Sequence, residues 1–231
     1  MKKITLILFF SFSVFSQNTK EIDSILFSEM LAIHHEEFQR KSSLDFHRGN
    51  HESSEEYFNS LVDLKLKGTI MDNFKVLDVE QKINHIHDIK KPFYLMSYAS
   101  WCVPSNGELE ALKLLVEEHS DWLDFALIMW DKKEDALKFS KQYHPKIKVF
   151  YVDELSNTET KTIKILKHKL GLPISLAVCS DKTILNIRKN TQIHPSVDKD
   201  IAVKKCFDDI SKDIELLQKH ESFKLFSISP F

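Results

Sequence analysis

Hydrophobic positions along the chain change their period near Gly68. Over residues 18–66 the apolar residues fall at helical spacing and no proline interrupts them. Ile22, Ile25, Leu26, Met30 and Ile33 form a loose stripe, and such spacing puts side chains on one helix face. A polar break from His47 to Ser54, containing Gly49, divides this region. Ser53 with Glu56 has the pattern of a capping box. A second helix follows, with Tyr57, Phe58, Leu61, Val62 and Leu64 turned inward.

Beyond Gly68 short apolar runs alternate with amphipathic ones. Residues 74–79 read as a strand, and Ile83, Ile86 and Ile89 lie in an extended segment or short turn. Phe93-Tyr94-Leu95-Met96-Ser97-Tyr98 is almost continuously apolar, as a strand buried on both faces requires. A helix is expected to start near Pro104, with Leu109, Leu112, Leu115 and Val116 on one face. Residues 125–130, 147–152 and 174–178 read as further strands, and residues 132–143 and 158–170 as helices. Residues 183–187 return as a hairpin through Ser180-Asp181-Lys182. Val203, Phe207, Ile210, Ile214 and Leu217 mark a last helix. Strands alternating with helices imply an α/β sandwich.

Composition narrows the function classes. The chain has 231 residues, 42% apolar and 29% charged, with a net charge of −2. That is the balance of a globular protein, without the basic footprint of a nucleic-acid binder. Only four glycines are present, and none forms a phosphate-binding loop, so no cofactor is implied. His85 and His87 would share a strand face, but no third ligand stands at a suitable spacing, and no metal site is expected.

The N-terminus has the layout of an export signal. Lys2 and Lys3 precede a short apolar run from Ile4 to Phe15, and Val14-Phe15-Ser16 offers a cleavage site before Gln17. The alternative is an N-terminal anchor, but the run is short for a hydrocarbon core of about 30 Å. The expected organisation is a signal peptide at 1–16, a helical extension at 17–66 and an α/β domain at 67–231. Export, with a periplasm as the expected destination, means an oxidising compartment and a mature chain with no membrane span. Three cysteines remain, Cys102, Cys179 and Cys206. An odd number leaves at least one unpaired. Cys179 and Cys206 form either a structural staple or two buried free thiols.

Trp101-Cys102-Val103-Pro104-Ser105 stands where a buried strand hands over to a helix. A sulfur at a helix N-terminus is stabilised as thiolate, and a proline suits the first helical turn. The segment from Ala99 to Ser105 resembles the active-site segment of thioredoxin-like proteins. It is closest to the exported TlpA-type branch, which has a glutamate where Glu108 stands. Gly171-Leu172-Pro173 is similar to the cis-proline loop of that family. The likeness runs from about Gly68 to Gln218 and implies a thioredoxin-like fold.

The departures define the chemistry. Ser105 stands where the family has its resolving cysteine, Glu110 where the branch often has a proline, and Ile174 where a polar residue is common. Met96 stands where thioredoxins proper keep a buried aspartate, so Glu108 is the remaining proton acceptor. A single thiol can form a mixed disulfide, but release then needs another thiol. The resemblance implies a catalytic set of Cys102, Ser105 and Glu108. Trp101, Val103, Pro104, Leu172 and Pro173 would line a substrate groove. Partners would be client proteins with cysteines or disulfides and an external reductant thiol, with the extension as a candidate homodimer element. Against this, Cys102 is a relic in a redox-inactive module that binds an extended peptide. Ser105 is either a thiolate hydrogen-bond partner or an inert helix-start serine. Glu108 is either a proton relay or a solvated first-turn glutamate.

Overall fold

The computed structural model describes residues 25–47, 52–153, 157, 159–190 and 192–228. The expected signal peptide and residues 48–51 of the polar break, Gly49 among them, lie outside them, and so does the side chain of Ser53.

Two helices open the fold, α1 (Phe27–His47) and α2 (Glu52–Leu61), and α2 continues into a π-helical turn, Val62–Leu66. Gly68 follows at φ +83°, a conformation in which glycine carries no steric penalty. It turns the chain toward the sheet. The strands are β1 (Lys75–Asp78), β2 (Ile83–His85), β3 (Phe93–Tyr98), β4 (Asp124–Met129), β5 (Lys148–Tyr151), β6 (Ile174–Val178) and β7 (Ile184–Lys189). The later helices are α3 (Glu108–His119), α4 (Lys133–Ser140), α5 (Thr160–His168) and α6 (Lys199–Ile228).

The strands form one mixed sheet in the order β2-β1-β5-β4-β3-β6-β7. β3 runs parallel to β4 and antiparallel to β6. All six β3 residues are buried. Their alternation sends Phe93 and Leu95 to one face and Tyr94, Met96 and Tyr98 to the other. The first face is covered by α1, α2 and α5 through Phe27, Leu31, Phe58, Leu61, Ile163 and Leu166. The second is covered by α3, α4 and α6 through Leu112, Leu115, Ala136, Ile210, Ile214 and Leu217. This is the α/β sandwich that the alternation implied.

The sequence left open how the N-terminal helices relate to the sheet. They share its core. Ile70 bridges Leu26 on one side and Thr183 on the other. The buried Asp72 carboxylate accepts hydrogen bonds from the Ser28 amide at 2.8 Å and the Ser28 hydroxyl at 2.5 Å. The first amides of a helix have no partner within it, so Asp72 supplies one from outside. Several expected boundaries shift. The helix expected at 132–143 stops at Ser140, which leaves Tyr143 in a turn. His85 ends β2 whereas His87 lies in a 3₁₀ turn, its Nε2 2.7 Å from the Met71 carbonyl, so the two do not share a strand face.

Asp72→Ala should destabilise the protein by about 1–3 kcal/mol, the cost of leaving buried donors unpaired. Urea unfolding measures this, and an unchanged midpoint would mean that the helices are held by apolar contact alone.

Candidate functional site

β3 ends at Tyr98, and the chain turns sharply. The Cys102 amide donates to the Ala99 carbonyl at 2.9 Å. The Ala99 amide in turn lies 3.4 Å from Cys102 Sγ, which accepts from it. Ser100 is held by Asp131, through its amide at 2.7 Å and its hydroxyl at 2.8 Å. The turn leaves Cys102 only 6% exposed, between Trp101 at 68% and Val103 at 71%. Pro104 is half-buried. Burial pushes the Cys102 thiol up. The Ala99 amide opposes that shift and the Asp131 carboxylate adds to it.

The helix does not begin near Pro104. It begins at Glu108, six residues after Cys102, with Gly107 before it at φ +80°. Gly107 in that left-handed conformation cannot lie inside a helix, and the bonds of residues 105 and 106 hold the loop before it. The Ser105 amide donates to Glu108 Oε2 at 2.8 Å, and the Ser105 hydroxyl accepts from the Ile193 amide at 2.8 Å. Asn106 Nδ2 donates to the Val197 carbonyl at 3.0 Å. A Cβ on Gly107 would fall 2.4 Å from the Val203 nitrogen, so only glycine lets α6 approach this closely. Cys102 is therefore not held at a helix N-terminus, and helix-dipole stabilisation of its thiolate is not available as expected.

Glu108 is not solvated. It is 4% exposed, and its carboxylate gathers donors from three parts of the chain. Tyr98 donates its hydroxyl to Oε1, Asn190 Nδ2 donates to the same oxygen at 2.9 Å, and the Ser105 amide occupies Oε2. Burial raises its pKa, while Tyr98, Ser105 and Asn190 pull it down. No hydrogen bond joins Ser105 to Cys102 among the described residues.

Leu172 and Pro173 sit next to this segment because of sheet register. Ile174 opens β6 opposite Ser97 near the end of β3, which places the Leu172–Pro173 loop at the edge from which Cys102 departs. The Leu172–Pro173 peptide is cis. Asn190 ties the two sides together. Its amide donates to the Pro173 carbonyl at 3.4 Å, its Oδ1 accepts from Ser175 at 3.0 Å, and its Nδ2 also reaches the Tyr98 hydroxyl at 2.6 Å. Residues 190 and 192–197 thus form a strap bonded to the segment that follows Cys102.

All three cysteines are free, so the staple between Cys179 and Cys206 is not formed. Cys179 follows the end of β6 that faces the start of β3, the end away from Cys102. Burial pushes its thiol up to about 12. Cys206 is half-buried, with Sγ 3.6 Å from the Asn106 carbonyl. It lines a small open pocket of about 40 Å³ together with Ser105, Glu108, Asn190 and Ile193. Among the described residues no cluster of three or more metal-ligating side chains occurs. Sequence reasoning missed Asn190, Ile193 and Tyr98. The letters Ser105-Asn106-Gly107-Glu108 did carry a signal, the spacing of a capping box, and half of that box forms.

No protein-family model matches the chain, and no curated protein matches it. Solved structures do. A Chlorobium tepidum protein described as a thiol:disulfide interchange protein DsbE aligns over 65% of this chain and 96% of its own, at 18% identity and TM-score 0.50. A thio-disulfide isomerase from Thermus thermophilus aligns over 55% and 88%, at 19% identity and TM-score 0.45. A thiol peroxidase from Chromobacterium violaceum aligns over 68% and 87%, at 16% identity and TM-score 0.44. The chain has the thioredoxin-like fold, preceded by an N-terminal helix. No helix among the described residues is long and apolar enough to cross a membrane.

The Glu108 environment gives a pH test. Its folded pKa is raised, so below the unfolded value of about 4.5 its full contribution to stability is present. That contribution is lost as pH rises through the folded pKa. Glu108→Gln, which mimics the protonated acid, should therefore match the parent below about pH 4.5 and become the more stable of the two as pH rises. Denaturation midpoints across pH read this, and a constant difference would mean that Glu108 keeps an ordinary pKa.

Proposed function

We propose that this chain is an exported, thioredoxin-like protein that works by thiol–disulfide exchange through Cys102 alone. The observation that carries the reading is the placement of Cys102. It is the one cysteine on the loop between the central strand and α3, and it lies between two exposed apolar side chains, Trp101 and Val103. A client disulfide docked on that rim presents a sulfur to Cys102 Sγ. The thiolate attacks, a mixed disulfide forms, and the client's second sulfur leaves as thiolate. Ser105 cannot close the cycle, so the client's own thiol or an external reductant thiol releases Cys102. This suits disulfide isomerisation or monothiol oxidoreduction. Leu172 and Pro173 form the facing edge of the groove.

The signal at residues 1–16 supports export, with a periplasm as the destination, and the domain read as 67–231 shares its core with the extension at 17–66. One observation favours a second reading. The resting Cys102 thiol is buried and its pKa is raised, which fits a redox-inactive module that holds a peptide on the same rim by strand addition.

Brief exposure of the reduced full chain to a small disulfide, followed by site-resolved mass spectrometry, separates the two. Exchange requires an adduct confined to Cys102 that forms faster than on an unfolded peptide of the same segment, and Cys102→Ala should abolish it. A rate at or below the peptide's, with partner binding unchanged in Cys102→Ala, establishes the binding module instead.

A further inference from the structure

Cys102 lies in a turn, and what closes that turn decides where its sulfur points. The Cys102 amide donates to the Ala99 carbonyl at 2.9 Å, so Ser100 and Trp101 form the corner. The corner sends Trp101 outward and folds Cys102 inward, with Sγ accepting from the Ala99 amide at 3.4 Å. The one carbonyl-to-amide bond of such a turn leaves the amide of its second residue, here Ser100, without a partner inside the turn.

That partner comes from the neighbouring strand. Tyr98 lies opposite Met129 in the parallel ladder of β3 and β4. The pairing runs on past the strands, because the Trp130 amide donates to the Tyr98 carbonyl at 3.0 Å and the Trp130 indole donates to the Ser97 hydroxyl at 2.7 Å. Continued by one more residue, this register sets Asp131 beside Ser100. Both carboxylate oxygens are engaged. Oδ2 accepts from the Ser100 amide at 2.7 Å, and Oδ1 accepts from the Ser100 hydroxyl at 2.8 Å. Hydrogen bonds to an ionised acceptor are roughly twice as strong as neutral ones. Ser100 is exposed, so this grip acts on the turn rather than on the packing of the core. Asp135 and Lys138 of α4 line the same surface. Burial pushes the Cys102 thiol up, and the Asp131 charge adds to that push, in keeping with a carboxylate set close to the turn.

We propose that Asp131 is a positioning residue for Cys102: its grip on Ser100 holds the turn that keeps the sulfur folded inward, and Cys102 reaches a client disulfide only when that grip is released. This inference rests on the reading of Cys102 as the exchanging thiol. Release needs no redox partner. Two hydrogen bonds break, and the carboxylate and the Ser100 groups pass to water.

The test compares Asp131→Ala and Asp131→Asn with the parent, each as the full chain. Alkylation of the cysteines by iodoacetamide is followed by site-resolved mass spectrometry across pH. The limiting rate at high pH, where the thiol is ionised, reads access to Cys102 apart from its ionisation. Asp131→Ala should raise that rate about tenfold, the change in turn population expected when a hydrogen bond to a charged group is lost. Asp131→Asn keeps one side-chain oxygen for the Ser100 amide, so its rate should lie nearer the parent's. Cys179, fully buried after β6, is the internal control and should react no faster in either variant. Equal limiting rates at Cys102 in Asp131→Ala and the parent would overturn the proposal. So would a parallel rise at Cys179, which would mean that Asp131 holds the whole fold. Failure of the exchange reading has a different signature, because Cys102 of the parent would then react with a small disulfide no faster than an unfolded peptide does, while the alkylation rates of parent and Asp131→Ala still differ.

Discussion

A carboxyl group taken out of water must be given donors, or folding loses several kcal/mol. Glu108 is in that position, and its requirement shapes the candidate site. Its donors come from the end of β3, from the loop after Cys102, and from the residue after β7. Meeting them draws Tyr98, Ser105 and Asn190 to one point. The loop does not wind into a helix at Pro104, because Gly107 stands at φ +80°, outside the helical region, and α3 starts only after it. The strap at 190–197 is drawn over the loop, and the Ser105 hydroxyl receives the Ile193 amide. Gly107 allows α6 to close on the same segment.

This arrangement gives Ser105 a place in the fold. On the proposed reading, a dithiol relative would carry its second sulfur at this position, free to reach the first. The Ser105 side chain instead faces the strap, and Cys102 turns toward Ala99 and the exposed rim. Ser105 fastens the loop to the strap, and Cys102 is the thiol that the proposed exchange would use.

The strands were legible in the sequence because burial on both faces leaves a run such as residues 93–98 with almost no polar residue. The alternation of strands and helices fixed the fold class. The extension was legible as helix but not as part of the core, since an amphipathic stripe shows which face is buried and not against what. The sequence singled out Cys102 and Leu172–Pro173, which the fold brings to the same end of the sheet. The helix start was misread because proline is a strong first-turn signal, whereas the left-handed turn at Gly107, packed against the backbone of α6, is tertiary. Asn190 and Tyr98 are 92 residues apart, and no local pattern joins them.

The most direct measurement is amide hydrogen exchange of Ser105 and Ile193, resolved by nuclear magnetic resonance in the reduced protein. A loop held by Glu108 and the strap requires both amides to be protected to a degree comparable with the β3 amides, with Ser105 losing protection in Glu108→Ala. Rapid exchange of both amides in the parent protein would contradict the account.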